Sequence, residues 1–309
     1  MKSLVWADRG QQLHVESGES ESQAHCLGVS RLGSVQLPAT IFNVWVQLRG
    51  SSWVEAREGK FRLRRGDWIA FERDSKPIIQ GDRHGVCVGL GLGADLMRAA
   101  GELAEPGLYP GSGRLRAQEA RMFLKLWRSA AARLAGAPGL DAAATTGILR
   151  PLILQLVSLQ SEMSADIPLC PGRSRRRKRQ VFGRLQRARM YLHGNRDRVV
   201  RISELAELTS FSSWYFSKTF HGLYGESPQS ASARMRLEQA AELLRNSQMM
   251  VGEVAAASGF ENCCSFARAF RARYQTSATN YRKQAAASLR ADSAKSPGDL
   301  RKAGSSLRP

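Results

Sequence analysis

The side chains with the clearest chemistry in this chain are cations at helical spacing, placed opposite aromatic pairs. Phe216 and Phe220, and fifty residues later Phe266 and Phe270, are four apart, so each pair shares a helix face that must be buried. The opposite faces carry Trp214 and Lys218 in the first segment and Cys264 and Arg268 in the second, free to meet a partner. An arginine fork at Arg268 can donate two parallel hydrogen bonds to guanine O6 and N7, while Lys218 offers a point charge. A second set of cations, Arg173, Arg175, Arg176, Arg177, Lys178 and Arg179, has no acidic residue nearby, and such a run either stays solvated or neutralises phosphates. Cys263-Cys264 reads as tolerance for small residues rather than redox chemistry. The sequence offers no nucleophile elbow, P-loop, strand-borne GxGxxG or defensible pair of carboxylates, so no catalytic residue and no cofactor is expected.

The cations imply particular elements. Laying Phe216 to Ser227 over Phe266 to Ser277 aligns Phe216 with Phe266, Phe220 with Phe270, Tyr224 with Tyr274 and Ser227 with Ser277, which points to one unit used twice. Each copy opens with a short apolar-periodic segment (Ile202, Leu205, Ala206; Val251, Val254, Ala255), then a small-residue break, then a second amphipathic helix. That is a helix-turn-helix pattern. Ser212 and Asn262 are the expected N-caps, Gly259 supplies the freedom for a tight turn, and Phe260 can plug the angle between helices. Between the copies, Leu237, Ala240, Ala241 and Leu244 stripe a helix over Arg234 to Ser247. Two recognition helices held roughly 34 Å apart can enter successive major grooves on one face of a duplex.

These motifs resemble the AraC/XylS family of transcription regulators, whose DNA-binding domain is two helix-turn-helices joined by a helix. The resemblance covers about a hundred residues and is carried by Leu205-Ala206, Phe211-Ser212, Phe220, Gly225, Pro228, Arg236-Leu237, Val254-Ala255, Gly259-Phe260, Phe266, Phe270, Tyr281 and Arg282. Gln275 and Ala278 depart from it, standing where the family usually has Gly and Pro. The resemblance implies base contacts at Trp214 and Lys218 in the first unit and at Cys263, Cys264 and Arg268 in the second, with Ser213 beside them. It also implies double-stranded promoter DNA and RNA polymerase as partners.

Composition agrees with an anionic partner. The 309 residues carry a formal net charge of +19, unevenly spread. Residues 1–166 hold 20 Lys/Arg against 17 Asp/Glu, whereas residues 173–283 hold 21 against 8. The excess lies with the repeated unit. With 43% apolar residues the chain can bury two cores. No apolar run approaches the roughly 20 residues that span a bilayer, and Met1-Lys2-Ser3-Leu4 leads into polar sequence, so a soluble cytoplasmic, nucleoid-associated protein without membrane contact is expected. Five cysteines without CxxC spacing give no disulfide or zinc framework.

The first hundred residues change period. Phe42, Val44, Val46 and Leu48 alternate with Asn43, Trp45, Gln47 and Arg49, and Phe61 and Leu63 with Arg62 and Arg64, which reads as half-buried strands. Gly50, Gly59, Gly66-Asp67 and Gly81-Asp82 punctuate them, and Trp68–Phe71 and Val86–Leu92 supply more, the pattern of a small barrel or double-sheet roll. The pattern resembles the cupin-like sensor domain that many family members carry. A metal-binding cupin would cluster an HxH with an acidic residue, whereas His14, His25 and His84 are scattered, so no metal site is expected. The domain either binds a small-molecule effector, with Trp45, Arg62, Arg64 and Trp68 as candidates, or has a filled interior and serves dimerisation.

Helical periods run from Arg116 to Leu134 and from Ala142 to Leu159, with Pro151 expected to kink or open the second; its broad apolar face suits a homodimer or its own barrel. The expected fold class is therefore α+β and multidomain: residues 1–112 a cupin-like β-rich sensing or dimerising domain, 113–166 helical packing, 167–179 linker and basic arm, 180–284 an all-α DNA-binding domain of two helix-turn-helices, and 285–309 a disordered tail. Two alternatives to an effector-responsive regulator are an architectural DNA binder without effector and a cupin-type enzyme tethered to DNA.

Overall fold

A computed structural model describes residues 3–16, 24–103, 105, 107–137 and 139–294. In chain order the elements are β1 (Leu4–Ala7), β2 (Gln12–His14), β3 (Ala24–Ser30), β4 (Ser34–Gln36), β5 (Phe42–Arg49), β6 (Ser51–Ala56), β7 (Gly59–Arg64), β8 (Asp67–Phe71), β9 (Ile78–Gly81), β10 (Val86–Leu92), α1 (Ala94–Leu103) and β11 (Gly111–Arg114). Helices follow: α2 (Ala117–Gly136), α3 (Ala142–Leu159), α4 (Ser161–Ser164), α5 (Arg175–Gly194), α6 (Ile202–Thr209), α7 (Ser213–Tyr224), α8 (Pro228–Asn246), α9 (Val251–Ala257), α10 (Cys263–Tyr274) and α11 (Ala278–Ala294). They fall into two compact units, Met1–Asn195 with Arg201–Pro228, and Arg196–Val200 with Gln229–Pro309. The cut runs through the stretch 180–284 that reads as one domain from sequence. It groups α6 and α7 with the strands.

In the first unit two sheets lie face to face, one ordered β1-β3-β10-β5-β8-β11 and the other β2-β4-β9-β6-β7. Leu27, Val29, Val35, Ile41, Trp45, Val54, Phe61, Leu63, Ile69, Phe71 and Ile79 fill the space between them. The six-stranded sheet is covered on its other face as well, where Phe42, Val44, Val46, Trp68, Val88 and Leu90 pack with Phe123 and Trp127 of α2 and Leu149, Leu152, Ile153 and Leu156 of α3. This corrects the half-buried reading of β5. Asn43, Trp45 and Gln47 are as buried as their apolar neighbours, because the five-stranded sheet covers the face that the alternation leaves for water while α2 and α3 cover the other. Asn43 is compatible with that burial because its amide is used, donating to the Ile41 carbonyl at 3.3 Å and accepting Trp45 Nε1 at 3.0 Å.

Among the described residues α3 is the one helix long and apolar enough by composition to cross a bilayer, a match the sequence reading did not anticipate. Its buried Leu149, Leu152, Ile153, Leu156 and Val157 lie in the sheet–helix core. Pro151 sits inside an unbroken helix at an exposed position, so the expected kink does not end it. Helix α5 begins at Arg175, five residues ahead of the start near Gln180 expected from the apolar spacing, with Ser174 Oγ accepting from Arg177 N at 3.2 Å as cap. Its inner face, Val181, Phe182, Leu185 and Met190, is buried, and Phe182 meets Tyr109 edge-on at 5.0 Å.

The second unit is built on the stripe of α8. Leu237, Ala240, Ala241 and Leu244 pack with Val254 and Ala255 of α9, Phe266 and Phe270 of α10 and Ala278 of α11. Helix α11 runs on to Ala294, nine residues past the expected start of an unstructured tail at 285, and residues 295–309 of that tail lie outside the described residues.

Candidate nucleic-acid interface

The repeat seen in sequence has a structural counterpart at each position. In the first copy Phe216 and Phe220 are buried, with ring centroids 5.5 Å apart, and Tyr224 closes on Phe220 at 4.6 Å. In the second, Phe266 and Phe270 stand 5.4 Å apart and Tyr274 closes on Phe270 at 4.6 Å. The caps are those expected: Ser212 Oγ accepts from Tyr215 N at 3.3 Å, and Asn262 Oδ1 from Ser265 N at 2.7 Å. These satisfy donors that a helix start otherwise leaves free.

The turns are homologous although they differ by one residue. Ser210 at φ 52° and Gly259 at φ 71° take the same left-handed conformation, and the next residue returns its N–H to the first helix, Phe211 to Ala206 O and Phe260 to Ala255 O, each at 3.0 Å. A Cβ at Gly259 would stand 2.8 Å from the Arg198 Cα, so this position requires glycine. Arginines brace both turns from behind. Arg184 donates to Thr209 O at 3.2 Å and lies over Phe211 at 5.2 Å. Arg236 donates to Gly259 O at 2.8 Å and lies over Phe260 at 4.6 Å, buried enough that its pKa falls.

With the phenylalanines inward, the opposite stripes are exposed. Ser213, Trp214 and Lys218 are exposed on α7, with Trp214 70% accessible and the Lys218 Nζ 4.9 Å from the centre of its ring. On α10, Cys263, Cys264 and Arg268 are exposed, and Arg268 makes no ion pair among the described residues. The fifty-residue offset maps Trp214 to Cys264 and Lys218 to Arg268, and it extends each stripe by one turn, to the exposed His221 and Arg271. Those two were missed in the sequence reading. The offset applied to the whole helix would have found them. The other three thiols are of a different kind: burial pushes Cys26 up to about 12 and Cys170 up to about 11, and raises Cys87 as well, which removes them from thiolate chemistry at neutral pH.

The basic run is helical rather than an extended arm from Arg175 onward. Arg175 and Arg179 ion-pair with Glu105, whose carboxyl is held below its ordinary range chiefly by the Arg179 hydrogen bond, and Lys178 Nζ donates to Pro168 O at 2.6 Å. Arg173, Arg176 and Arg177 remain exposed. Cations in a first helical turn oppose the helix dipole, so an anion placed there would be stabilising. Further back, Arg187, Arg196 and Arg282 are committed internally, to Glu58, Glu242 and the Met249 carbonyl. Part of the basic excess therefore holds the fold together.

The four residues offered for an effector are not brought together. Trp45 lies between the sheets and Trp68 beneath α2 and α3, while Arg62 and Arg64 are exposed on the outer face of the five-stranded sheet, with Arg62 over Trp53 at 5.5 Å. Among the described residues no group of three His, Cys, Asp or Glu side chains is placed to hold a metal ion.

Residues 205–284 match the family described as a helix-turn-helix domain. Over 82 residues, 26% of this chain, the sequence is 37% identical to an uncharacterised HTH-type transcriptional regulator of Haemophilus influenzae, and over 80 residues, also 26% of this chain, 35% identical to the HTH-type regulator YobQ of Bacillus subtilis. These matches cover 28% and 33% of those relatives' own lengths. Among solved structures, the DNA-binding domain of AdpA in complex with a target DNA is similar at 27% identity and a TM-score of 0.32, over 35% of this chain and 94% of that one. The segment 205–284 is a helix-turn-helix domain.

Proposed function

We propose that the chain is a sequence-specific regulator of transcription that binds double-stranded promoter DNA through α7 and α10. The observation that carries this reading is the doubled exposed stripe, Trp214-Lys218 and Cys264-Arg268, set against the same buried aromatic ladder and closed by the same cap in both copies. In this reading Arg268 reads guanine, Lys218 and Trp214 with Ser213 support the first half-site, Cys263 and Cys264 admit close approach at the start of α10, and Arg173, Arg176 and Arg177 add phosphate contacts. RNA polymerase is the protein partner, the setting is the cytoplasm, and the two-sheet domain is a cupin-like module for sensing or dimerising. Footprinting on genomic fragments tests it. A discrete protected sequence spanning two adjacent major grooves supports the reading, and equal affinity for random and protected DNA sinks it.

Filling of the space between the sheets by Trp45, Phe61 and Phe71 favours dimerisation over effector binding as the role of this domain. A thermal-shift screen of metabolites on the full chain separates the two. Any effector that raises the midpoint binds the native state, and by mass action a ligand at a hundred times its Kd adds about 2.7 kcal/mol.

A further inference from the structure

One charged cluster has no part in the proposed DNA contacts. In the turn between β6 and β7, Glu58 is 1% exposed, and its Oε1 accepts Arg187 Nε at 2.7 Å and Ser75 Oγ at 2.8 Å. The other side of the Arg187 guanidinium lies 2.9 Å from Asp74, which in turn holds Arg57 at 2.7 Å. The Glu58 carbonyl accepts Asn195 Nδ2 at 2.9 Å. The backbones touch as well: a Cβ at Gly59 would stand 2.4 Å from the Gly194 carbonyl oxygen, and a Cβ at Gly194 would stand 2.3 Å from that of Glu58. Gly59 sits at φ 120°, where a side chain is strained whatever the space. Phe61 stacks on His193 at 5.8 Å beside the contact.

Helix α5 therefore ends against the sheet domain, and its remaining surface carries the first helix-turn-helix. Arg184 holds the turn after α6, Tyr191 Oη donates to Glu204 Oε2 at 3.0 Å, and Arg189 lies over Tyr224 of α7 at 5.3 Å. The join is not built for greatest stability. Glu58 Oε2 has no hydrogen-bond partner among the described residues, and a buried, incompletely paired carboxylate is commonly no better than well-packed apolar side chains. What such a pair offers is one defined arrangement that is lost as a unit.

We propose that Glu58 and Arg187, with Gly59 and Gly194, form a latch that fixes α5 to the sheet domain, so that the state of the β6–β7 turn is passed through α5 to the first helix-turn-helix. The effect on DNA rests on the function proposed above; the latch does not. The second helix-turn-helix belongs to the other compact unit and serves as the internal control.

Hydrogen exchange on the full chain tests the latch, using Glu58→Gln/Arg187→Met, which removes both charges together, and Gly59→Ala, which wedges the backbones apart with the charges intact. Both variants are expected to speed exchange about tenfold or more at the end of α5 and through α6 and α7, while β3, β5, β10 and α9 to α11 keep wild-type protection. Acceleration confined to the β6–β7 turn overturns the proposal, as does acceleration that includes the central strands, since the contact is then merely structural. Footprinting on the same variants separates the two claims. Weakened protection over one half-site alone joins latch to DNA, whereas the expected exchange pattern with an unchanged footprint keeps the latch and removes α7 from the DNA contact.

Discussion

Gln275 occupies, at φ 56°, the helix-ending position that Gly225 fills at φ 70° in the first copy. A left-handed non-glycine residue costs about 1–2 kcal/mol, partly offset here by the side-chain amide donating to Ala272 O at 2.9 Å. Glycine carries its own entropic cost of roughly 0.5–1 kcal/mol, so the two terms leave a small balance in its favour. Gln275→Gly should raise the stability of the second unit by about 0.5–1 kcal/mol in chemical denaturation. A loss instead would mean that the amide bond outweighs the strain. At the exposed stripe, Arg268→Ala should cost about 1–3 kcal/mol of DNA affinity and relax preference at one or two base pairs. Arg268→Lys keeps the charge but not the fork, and should lose the preference while retaining most of the affinity. A lysine variant with wild-type preference would show that Arg268 contacts phosphate. The exposure of Arg268 could be drawn from spacing because burial of Phe266 and Phe270 fixes which face is left over. The commitment of Arg187 could not, since its partner is 129 residues away.

At the scale of elements, cap and ladder make separable contributions. Asn262→Ala removes the acceptor of one free N–H at the start of α10 and should cost about 0.5–2 kcal/mol, visible as faster exchange confined to that helix. Phe270 meets Phe266, Tyr274 and Tyr281 at 4.6 to 5.5 Å, so Phe270→Ala should cost roughly 3–5 kcal/mol and melt α10 with its neighbours. If exchange after Phe270→Ala rises no more widely than after Asn262→Ala, the ladder is not the core of this unit. Helix periods, caps and the repeat were legible because each depends on residues a few positions apart. The half-burial expected of β5 fails because its Asn43 and Trp45 face is covered by the five-stranded sheet, a sheet-on-sheet contact that the alternation within one strand does not encode.

For the whole molecule, net charge overstates what is available to an anion. Of the six cations from Arg173 to Arg179, Arg179 is held by Glu105 and Lys178 by a carbonyl, and Arg175 pairs with Glu105 at 3.7 Å while staying exposed, which leaves Arg173, Arg176 and Arg177 outside any ion pair among the described residues. Replacing those three by glutamine should flatten the slope of log affinity against log salt by about 2.7 and leave the footprint's sequence unchanged. An unaltered slope would show that this end of α5 never approaches DNA.

The sequence by itself determined the duplicated helix-turn-helix, its caps, its inward phenylalanines and its outward cations, because local periodicity and capping chemistry act within one or two turns of helix. It also determined the alternation of Phe61 and Leu63 with Arg62 and Arg64, where one face of β7 meets water. Only the tertiary structure decided which cations are spent inside, why Gly59 and Gly194 are both glycine, and that the first helix-turn-helix shares a compact unit with the sheets. Those outcomes depend on the meeting of segments far apart in the chain, and neither composition nor spacing encodes the distance at which two backbones will touch.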